Sequence, residues 1–566
     1  MTYDLDLSGK ANLRRDHVLL LDTIADEIRP DYVDLVSNML HNSNDQLNFV
    51  LTPLISRNTI DCTLFDKLCK LELIKRLYSE GKIRTVKVDN PFLYEAIKRN
   101  ITGQITVYNS KTVSLRIAEM VLKNVKILIF LAYNYTARYI CSSLFNFRKV
   151  NKHQFPITII DTIVYKSSFD TNRFVDRHFP GILNFNTTKE NESIFYMAYY
   201  YRIYNFISLF RNMKRVDDNF IVPEEYLLPS DYYAAITSFT RLFRNFGRIE
   251  FMNYDISTLV TDAYYDNIVN VGTSEGVLRY KLIHRLKLKG IRIKHLVQWF
   301  ENQPINKGMI LGFNRYFTTT STVGHIGFYG SSNVVGTYPS RLELEKDLLP
   351  GRISIIGRKM AAEMSVFCPN LKFMLSPAFR FQELLILNRD YAEPAEFTVL
   401  LALPIFTEDA LTVLSLVNSV RKNFSDVSFG VKLHPGSNKK TLGSALADCG
   451  MYRCVTTKNM HEAILSSNLV VTSASSSALE SIFLGKHTII VSNSKELIKN
   501  PIPSEISTDL YSICYDEHDL LAQINRAKNT SISELINLKG LTTDYRSDYV
   551  ELQTRKNTRE LLGLDQ

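Results

Sequence analysis

The sequence has no long hydrophobic run and no dense basic stripe, and each absence excludes a class of protein. Its most apolar stretch, residues 127–133, has roughly a third of the length that a membrane-spanning helix requires. The 67 lysines and arginines, against 58 acidic residues, are spread along the chain rather than gathered as in nucleic-acid-binding proteins. We therefore expect no membrane-spanning segment and no nucleic-acid partner.

The sequence also lacks clustered cysteines, and we expect no leader segment. The seven cysteines are an odd number, and their spacings do not fit a zinc site. The N-terminal segment carries charged residues throughout and lacks the apolar run of a signal peptide. These features predict reduced thiols and a cytoplasmic protein. Peripheral association with the inner membrane stays open, because aromatic residues gather in 195–210, although a buried aromatic-rich helix is the favoured interpretation there.

The length of 566 residues exceeds what one hydrophobic core supports, so two large domains are expected. No internal repeat or low-complexity tract is present. In residues 386–540, runs of strand length alternate with helical patterns, which predicts a parallel, Rossmann-like sheet. The predicted strands are 397–403, 427–433, 451–455, 469–472 and 488–491, and the predicted helices are 407–420, with Thr407 as N-cap, 442–447, 460–465 and 478–483.

Residues 1–385 contain similar apolar runs that end at candidate functional residues. These runs are 157–160 before Asp161, 293–300 before Glu301 and 353–356 before Gly357. We expect helical insertions at 192–212 and 231–245. A polar helix at 545–562, in the terminal segment 541–566, is expected to pack back onto this first domain.

Two loops of the second domain are predicted to bind an anionic ligand group. Ligands of open parallel sheets bind beyond the carboxyl ends of the strands, where both loops are expected. The first loop offers a cation, an imidazole and a sharply turned backbone; it comprises Lys432, Leu433, His434, Pro435 and Gly436. The second offers hydroxyls and amides from Ser473, Ser475, Ser476 and Ser477. An ordinary surface turn and a single N-cap serine are the structural alternatives.

These two loops resemble the HP and serine motifs of bacterial transferases that use CMP-activated acidic sugars, the sialyltransferases and the Kdo (3-deoxy-manno-octulosonate) transferases. The resemblance covers about 100 residues of the C-terminal half. Four further segments resemble parts of bacterial surface-carbohydrate biosynthesis proteins: 174–181, 299–303, 324–327 and 377–380. Lys486 and His487 depart from the family, which often has a proline after the preceding glycine.

The resemblance implies an α/β protein of the GT-B type, in which two Rossmann-like domains face a central cleft. It implies transfer of an acidic sugar, Kdo or a sialic-acid-like sugar with Kdo favoured, from a CMP-sugar to a glycan or glycolipid acceptor of the cell surface. His434 and the serines would hold the CMP phosphate, and Lys432 would add charge. No cofactor or metal is implied, because loop amides and basic side chains can neutralise the departing phosphate.

A catalytic carboxylate or histidine is expected from the first domain. Glu301 is the leading candidate, and Asp161, Asp255 and His325 are alternatives. For Glu301 a buried ion pair is the competing interpretation, and for Asp255 a helix cap is favoured. His325 lies between glycines that permit close approach of a ligand. Asp4 and Asp6, the single Asp-x-Asp, are not expected to bind metal, because no strand is predicted before them.

Other functions remain compatible with these patterns. A CDP-polyol phosphotransferase of the teichoic-acid type would need a similar phosphate loop and histidine. A nucleotide-sugar 2-epimerase would usually be shorter. A non-catalytic scaffold for polysaccharide assembly would have the same fold without the reaction.

Overall fold

The computed structural model contains three parallel sheets and one short antiparallel hairpin. It describes residues 3–9, 12–41, 46–145, 147, 156–169, 173–386, 394–434, 436–437, 439–447, 453–455 and 459–565. Among these residues, no helix combines the length and the apolar character needed to cross a bilayer.

The N-terminal unit is a three-stranded sheet in the order β1-β2-β3. Its core is formed by buried aliphatic side chains of the sheet and of the helices packed on it. A helix of 31 residues then leads to the next sheet. The elements are β1 (Tyr3–Asp6), α1 (Arg15–His41), α2 (Gln46–Val50), α3 (Leu64–Ser79), β2 (Ile83–Val88), α4 (Pro91–Asn100), β3 (Thr106–Asn109) and α5 (Val113–Ser143).

The second sheet has seven parallel strands in the order β12-β11-β10-β9-β4-β5-β6. Its strands are β4 (Ile157–Val164), β5 (Ile194–Tyr200), β6 (Phe220–Ile221), β9 (Ile293–Trp299), β10 (Ser321–Ile326), β11 (Arg352–Ile355) and β12 (Phe373–Leu375), and β7 (Glu250–Phe251) with β8 (Tyr254–Asp255) forms the hairpin. Its helices are α6 (Thr188–Asn191), α7 (Phe206–Arg215), α8 (Pro229–Ile236), α9 (Ser257–Tyr265), α10 (Val271–Leu288), α11 (Pro304–Tyr316), α12 (Arg341–Glu345), α13 (Lys359–Ser365) and α14 (Gln382–Ile386).

The third sheet has six parallel strands in the order β15-β14-β13-β16-β17-β18. Its strands are β13 (Thr398–Ala402), β14 (Ser428–Lys432), β15 (Arg453–Cys454), β16 (Leu469–Thr472), β17 (His487–Val491) and β18 (Tyr511–Cys514). Its helices are α15 (Thr407–Val420), α16 (Lys439–Ala447), α17 (Met460–Leu465), α18 (Ser477–Phe483) and α19 (Glu517–Asn529). In each large sheet, the strand that comes first in the chain pairs on one side with the second strand of that sheet in the chain and on the other side with the fourth. The strand order therefore reverses at the first strand, as in Rossmann folds.

The predicted fold class, α/β with two Rossmann-like domains and helical insertions in the first, is confirmed by these sheets. The helices at 407–420 and 460–465 and the strand at 469–472 have the predicted bounds. The three-stranded sheet within residues 1–385 was not predicted, and Asp4 and Asp6 lie inside its strand β1.

After the third sheet the chain returns to the second. Helix α20 (Ile532–Tyr549) is followed by an extended segment and by α21 (Arg555–Leu561), whereas one helix was predicted for 545–562. His295 Nε2 lies 2.8 Å from the carbonyl oxygen of Leu561, and Arg559 pairs with Glu190 at 2.9 Å. These contacts hold the C-terminal segment against the second sheet.

Several local predictions are wrong. The insertion at 192–212 is not one helix, because Ile194–Tyr200 is strand β5, next to the edge strand β6, and only the residues from Phe206 are helical. Aromatic side chains favour strands, and a strand buried on both faces lacks the alternation that identifies it. The insertion at 231–245 is helical through Arg241, as α8 and a 3-10 helix over Thr237–Arg241, and is not helical beyond that. The residue at the N-cap of α15 is Phe406, without a side-chain cap, rather than Thr407.

Candidate active site in the interdomain cleft

Glu301 follows strand β9, next to the point where the strand order of the seven-stranded sheet reverses. The indole Nε1–H of Trp299 donates to Oε1 of Glu301 at 2.8 Å. Burial raises the pKa of the Glu301 carboxyl, although the Trp299 hydrogen bond and Arg380 oppose this shift. A carboxylate with a raised pKa at a sheet switch point is suited to accept a proton.

The backbone around Glu301 is fixed by buried polar contacts. Asn306 Oδ1 accepts the N–H groups of Glu301 and Gln303, at 3.2 and 3.1 Å. Asn302, the residue after Glu301, has a positive φ of 55° and donates from Nδ2 to the carbonyl of Gly336 at 2.9 Å. Backbone in this conformation is costly for a residue other than glycine and persists where the surroundings hold it.

A buried ion cluster supports the same loop. Glu343 pairs with Arg57 at 2.6 Å and with Lys307 at 2.9 Å, and Lys307 Nζ also donates to the carbonyl of Asn302 at 2.8 Å. Burial works against ionisation of Glu343, but Arg57 and Lys307 lower its pKa to about 2. The loop that carries Glu301 thus rests on a charged network joining α11, α12 and the N-terminal unit.

His178 extends the site along the loop that follows β4. Its ring centroid lies 4.3 Å from that of Trp299, and its Nε2 lies 3.2 Å from the hydroxyl of Tyr165. Asp176 Oδ1 holds this turn by accepting the N–H groups of His178 and Phe179, at 2.8 and 3.1 Å. Burial, together with Arg380, keeps the pKa of His178 well below its usual value. The ring is therefore neutral at pH 7.

Three exposed arginines of the second sheet act electrostatically on His434 of the third sheet. Arg177 follows β4, Arg202 follows β5 and Arg380 follows β12. Burial lowers the pKa of His434 to about 4, and the charges of Arg380, Arg202 and Arg177 act in the same direction. Arg202 also donates to the carbonyl oxygen of Gly436, which joins the two domains directly. The loops at the carboxyl ends of both sheets therefore meet across a cleft to which these arginines contribute positive charge.

His434 is oriented by its own loop. Its Nδ1 accepts the N–H of Gly436 at 3.0 Å, which leaves the proton of the neutral ring on Nε2 as a hydrogen-bond donor. Lys432, at the end of β14, is buried. Pro435 lies outside the described residues. The structure thus brings Lys432, His434 and Gly436 to one side of the cleft.

The serine loop lies at the carboxyl end of β16. Ser473 Oγ donates to the carbonyl of Val491 at 3.0 Å, so this hydroxyl holds the loop on the sheet. The Oγ atoms of Ser475 and Ser477 lie 2.9 Å apart, and Ser476 Oγ donates to Oε1 of Glu480 at 3.1 Å. The group offers hydroxyls to a ligand, while part of its hydrogen-bonding capacity is used within the loop.

A histidine joins the serine loop to the first domain. His461 Nε2 lies 3.3 Å from Glu480, and its Nδ1 lies 3.0 Å from Glu383 of α14. Although burial opposes it, these two carboxylates raise the pKa of His461. The contact with Glu383 crosses the cleft on the side of α14 and α17. The contact with Glu480 places the charged His461 ring against the carboxylate that accepts from Ser476.

The structure places the other catalytic candidates differently. Asp161 lies inside β4 rather than at its end, where it pairs with Arg279 at 3.4 Å and accepts from Gln298 Nε2 at 3.2 Å. His325 is fully buried in β10, with Nδ1 2.9 Å from Ser354 Oγ, and burial lowers its pKa to about 3.

Asp255 is not at the cleft. It lies in the hairpin β7-β8, where its Oδ1 accepts from the N–H and Oγ of Ser257 at 3.0 and 2.6 Å and its Oδ2 accepts from Arg99 at 3.3 Å. The Ser257 hydrogen bonds lower the pKa of Asp255. Its contacts are those of a turn residue at the start of α9.

A cavity of about 600 Å³ opens beside Glu301. Trp299, Tyr199 and Tyr201 supply aromatic surface to its wall. Its polar lining is rich in amides and carboxylates, namely Asn58, Asp61, Asp161, Asn267, Asn270, Glu275, Gln303 and Asn306. Aromatic faces combined with a few directed polar groups suit a polar ligand such as a sugar.

Several residues of the cleft were not among the sequence candidates. Arg177, His178 and Arg380 lie in two of the segments that resemble surface-carbohydrate proteins, so their position in the sequence was singled out but their role was not. Arg202 and Glu480 carry no recognisable motif. Arg202 is identified only by its contact with Gly436 of the other domain, and Glu480 by its contacts with Ser476 and His461.

No family model matches the sequence, and the search of curated proteins gives no match. Solved structures that align with the chain include a UDP-GlcNAc 2-epimerase from Neisseria meningitidis bound to UDP-GlcNAc, with 9% identity, 72% of this chain and 98% of that chain covered and a TM-score of 0.37. The glycotransferase of kitacinnamycin aligns with 10% identity, coverage of 73% and 99%, and a TM-score of 0.40. The wall teichoic acid polymerase TagF aligns with 8% identity, coverage of 80% and 98%, and a TM-score of 0.38. At these values function has to be inferred from the residues of this chain.

Proposed function

We propose that the protein is a glycosyltransferase that moves a sugar from a nucleotide-activated donor to a glycan acceptor. The observation that carries this proposal is the contact across the cleft between Arg202 and the carbonyl oxygen of Gly436 in the His434 loop, together with the charges of Arg177 and Arg380 acting on the same ring. Three guanidinium groups beside a neutral imidazole donor suit phosphate oxygens, because charge-assisted hydrogen bonds from arginine are strong and directional. The donor phosphate would lie between these arginines and the serine loop.

Glu301 serves as the general base in this proposal. Its carboxylate takes the proton of the acceptor hydroxyl while the acceptor oxygen forms a bond to the anomeric carbon of the donor. The bond from that carbon to the phosphate oxygen breaks, and its electron pair stays on the nucleotide phosphate. Arg380 and His434 then stabilise the developing charge, as fixed donors aimed at a leaving group do. The amide-rich cavity beside Glu301 holds the acceptor.

We infer the donor class from the motif resemblance, which favours a CMP-activated acidic sugar such as Kdo. The three arginines agree with this choice, because such a donor presents two anionic groups, a phosphate and a sugar carboxylate. A CDP-polyol offers two anionic phosphates to the same arginines and is the alternative donor. The two donors differ in what is transferred, a sugar in one case and a phosphopolyol in the other.

Product analysis by mass spectrometry tests the proposal. The purified protein is incubated with a glycan acceptor and, in separate reactions, with CMP-Kdo, CMP-sialic acid, UDP-sugars and CDP-glycerol. Transfer of a sugar with release of CMP is the expected result, and Glu301→Gln should abolish it. Transfer of phosphoglycerol would establish the alternative. Binding of a nucleotide without any transfer to the acceptors supplied would favour a non-catalytic scaffold and contradict the proposal.

A further inference from the structure

Helix α5 has an inverted distribution of polar and apolar side chains. It spans 31 residues, or about 46 Å at 1.5 Å per residue. Most of the large side chains on its outward face are apolar and exposed: Val113, Leu115, Ile117, Val121, Leu122, Val125, Ile129, Phe130, Tyr133, Tyr139 and Ile140, with Leu144 at its C-cap. Of the charged residues of α5, Lys126 is exposed on this face, and Glu119 and Lys123 are half-buried.

Three other charged residues of α5 pair with acidic groups elsewhere in the protein, whereas Glu119 pairs with Lys111, just before the helix. Arg116 pairs with Asp262 at 2.9 Å, Lys123 pairs with Asp266 at 2.7 Å, and the buried Arg138 lies between Glu224 and Glu275 at 2.7 and 2.6 Å. A water-facing helix normally shows the reverse arrangement, with its charges outward and its apolar stripe on the core. The outward face of α5 is therefore built for an apolar environment.

The neighbouring helix adds positive charge at the margin of this face. Helix α7 packs against α5, and Phe145, just beyond α5, contacts Phe210 of α7 with ring centroids 6.5 Å apart. The ionisable residues of α7 are Arg211, Lys214 and Arg215, and all three are exposed. Within the described part of the chain none of the three forms an ion pair. An apolar face bordered by unpaired cations is the pattern of proteins that lie in the headgroup region of anionic bilayers.

We propose that the outward face of α5 lies on the surface of an anionic lipid bilayer, with the cations of α7 at the lipid headgroups. Charge favours this occupant over a second copy of the chain. In a two-fold dimer built on α5, the basic residues of both α7 helices would flank one interface and repel each other. Tyrosines such as Tyr133 and Tyr139 suit the headgroup region, where one end of the ring meets apolar chains and the hydroxyl meets water.

This placement has a consequence for the acceptor. Lys123 and Ile127 of α5 line the cavity that reaches Glu301. A bilayer on the outward side of α5 therefore lies close to the wall of that cavity, which suits a glycolipid acceptor. The acceptor class rests on the proposed function, whereas the bilayer contact rests on α5 and α7 alone.

Vesicle flotation of the full chain tests the bilayer contact. Vesicles of phosphatidylcholine with phosphatidylglycerol are compared with vesicles of phosphatidylcholine alone, and we expect binding to the anionic vesicles. The double variant Val125→Glu, Ile129→Glu should reduce this binding roughly tenfold or more, because charge is unfavourable at the apolar side of the headgroup region. Both side chains are exposed, so the thermal unfolding midpoint should not change.

The matched control is Val366→Glu, which changes an exposed valine after α13, near the opposite edge of the seven-stranded sheet. It should bind vesicles like the wild type. Replacing Arg211 and Lys214 with glutamine should remove the preference for phosphatidylglycerol. The proposal is overturned if the wild type binds neither vesicle or if the glutamate variant still floats. A wild-type dimer in light scattering that this variant dissociates would also overturn it. Absence of glycosyl transfer, by contrast, would leave the vesicle result standing.

Discussion

Arg202, at the end of the second strand of one Rossmann-like sheet, donates a hydrogen bond to the carbonyl of Gly436, at the end of the second strand of the other. Arg202 has a positive φ of 52°, so its backbone is held in a conformation that non-glycine residues seldom adopt. The contact brings the guanidinium to the loop of His434. The proposed donor site consequently includes residues of both domains.

Arg380 should contribute to nucleotide affinity. Arg380→Ala removes a guanidinium that acts on His434, Glu301 and His178 but forms no hydrogen bond within the described residues. We expect nucleotide binding to weaken roughly 10- to 100-fold, the range for a charged hydrogen bond. Calorimetric titration measures this change. Arg341→Ala, an exposed arginine of α12, should leave the affinity within about twofold; equal losses in both variants would show a general charge effect.

The acid limb of the pH–activity profile, where activity falls at low pH, should reflect protonation of Glu301. Burial raises the pKa of this carboxyl above its ordinary 4.5. A general base acts in its ionised form, so kcat/KM should fall as the pH decreases through the raised pKa, at a pH above 4.5. Glu301→Gln should lower the rate by roughly 10²- to 10⁴-fold and remove this limb. A glutamine variant that keeps the limb would assign it to another group.

The ion cluster beneath the Glu301 loop should stabilise the fold at neutral pH. Glu343→Gln leaves Arg57 and Lys307 buried without a counter-charge and should cost about 3–5 kcal/mol of unfolding free energy. Because Arg57 and Lys307 lower the pKa of Glu343 from 4.5 to about 2, its contribution is complete above pH 4.5 and is lost as the pH falls towards 2. Chemical denaturation measures the loss. Glu345→Gln, on the exposed side of α12, should change stability by less than about 0.5 kcal/mol.

Helices α10 and α11 pack so closely that no methyl group can be added at Gly308 without a shift of the helices. A Cβ built on Gly308 would lie 2.0 Å from the carbonyl oxygen of Gly276. Gly308→Ala therefore forces apart the helices next to the Glu301 loop and should cost about 3 kcal/mol. Gly443→Ala in α16, where no atom lies within 4 Å of the added carbon, should stabilise by about 0.5–1 kcal/mol. Thermal denaturation of both variants separates the steric effect from the change of residue type.

Local patterns predicted much of the third sheet but less of the first two. Short strands and helices follow one another in the chain from Thr407 to Leu465, and each is identified by the hydrophobic pattern of its own residues. Strand β5 was mistaken for helix because its burial is set by neighbours distant in sequence. Glu301 was found from its position after a strand, and it lies where predicted. Arg202 was not singled out because its contact with Gly436 crosses the cleft, and Glu480 because its contact with His461 forms only in the folded domain.

One titration series tests most directly whether the third sheet binds the nucleotide while Glu301 of the second sheet acts in the transfer step. Nucleotide binding is measured by calorimetry for the wild type, Glu301→Gln and His434→Ala, alongside transfer to the acceptor. The account predicts that Glu301→Gln binds nucleotide within about twofold of the wild type but transfers no sugar, whereas His434→Ala loses roughly tenfold or more in affinity. Nucleotide affinity lost in Glu301→Gln and retained in His434→Ala would contradict it.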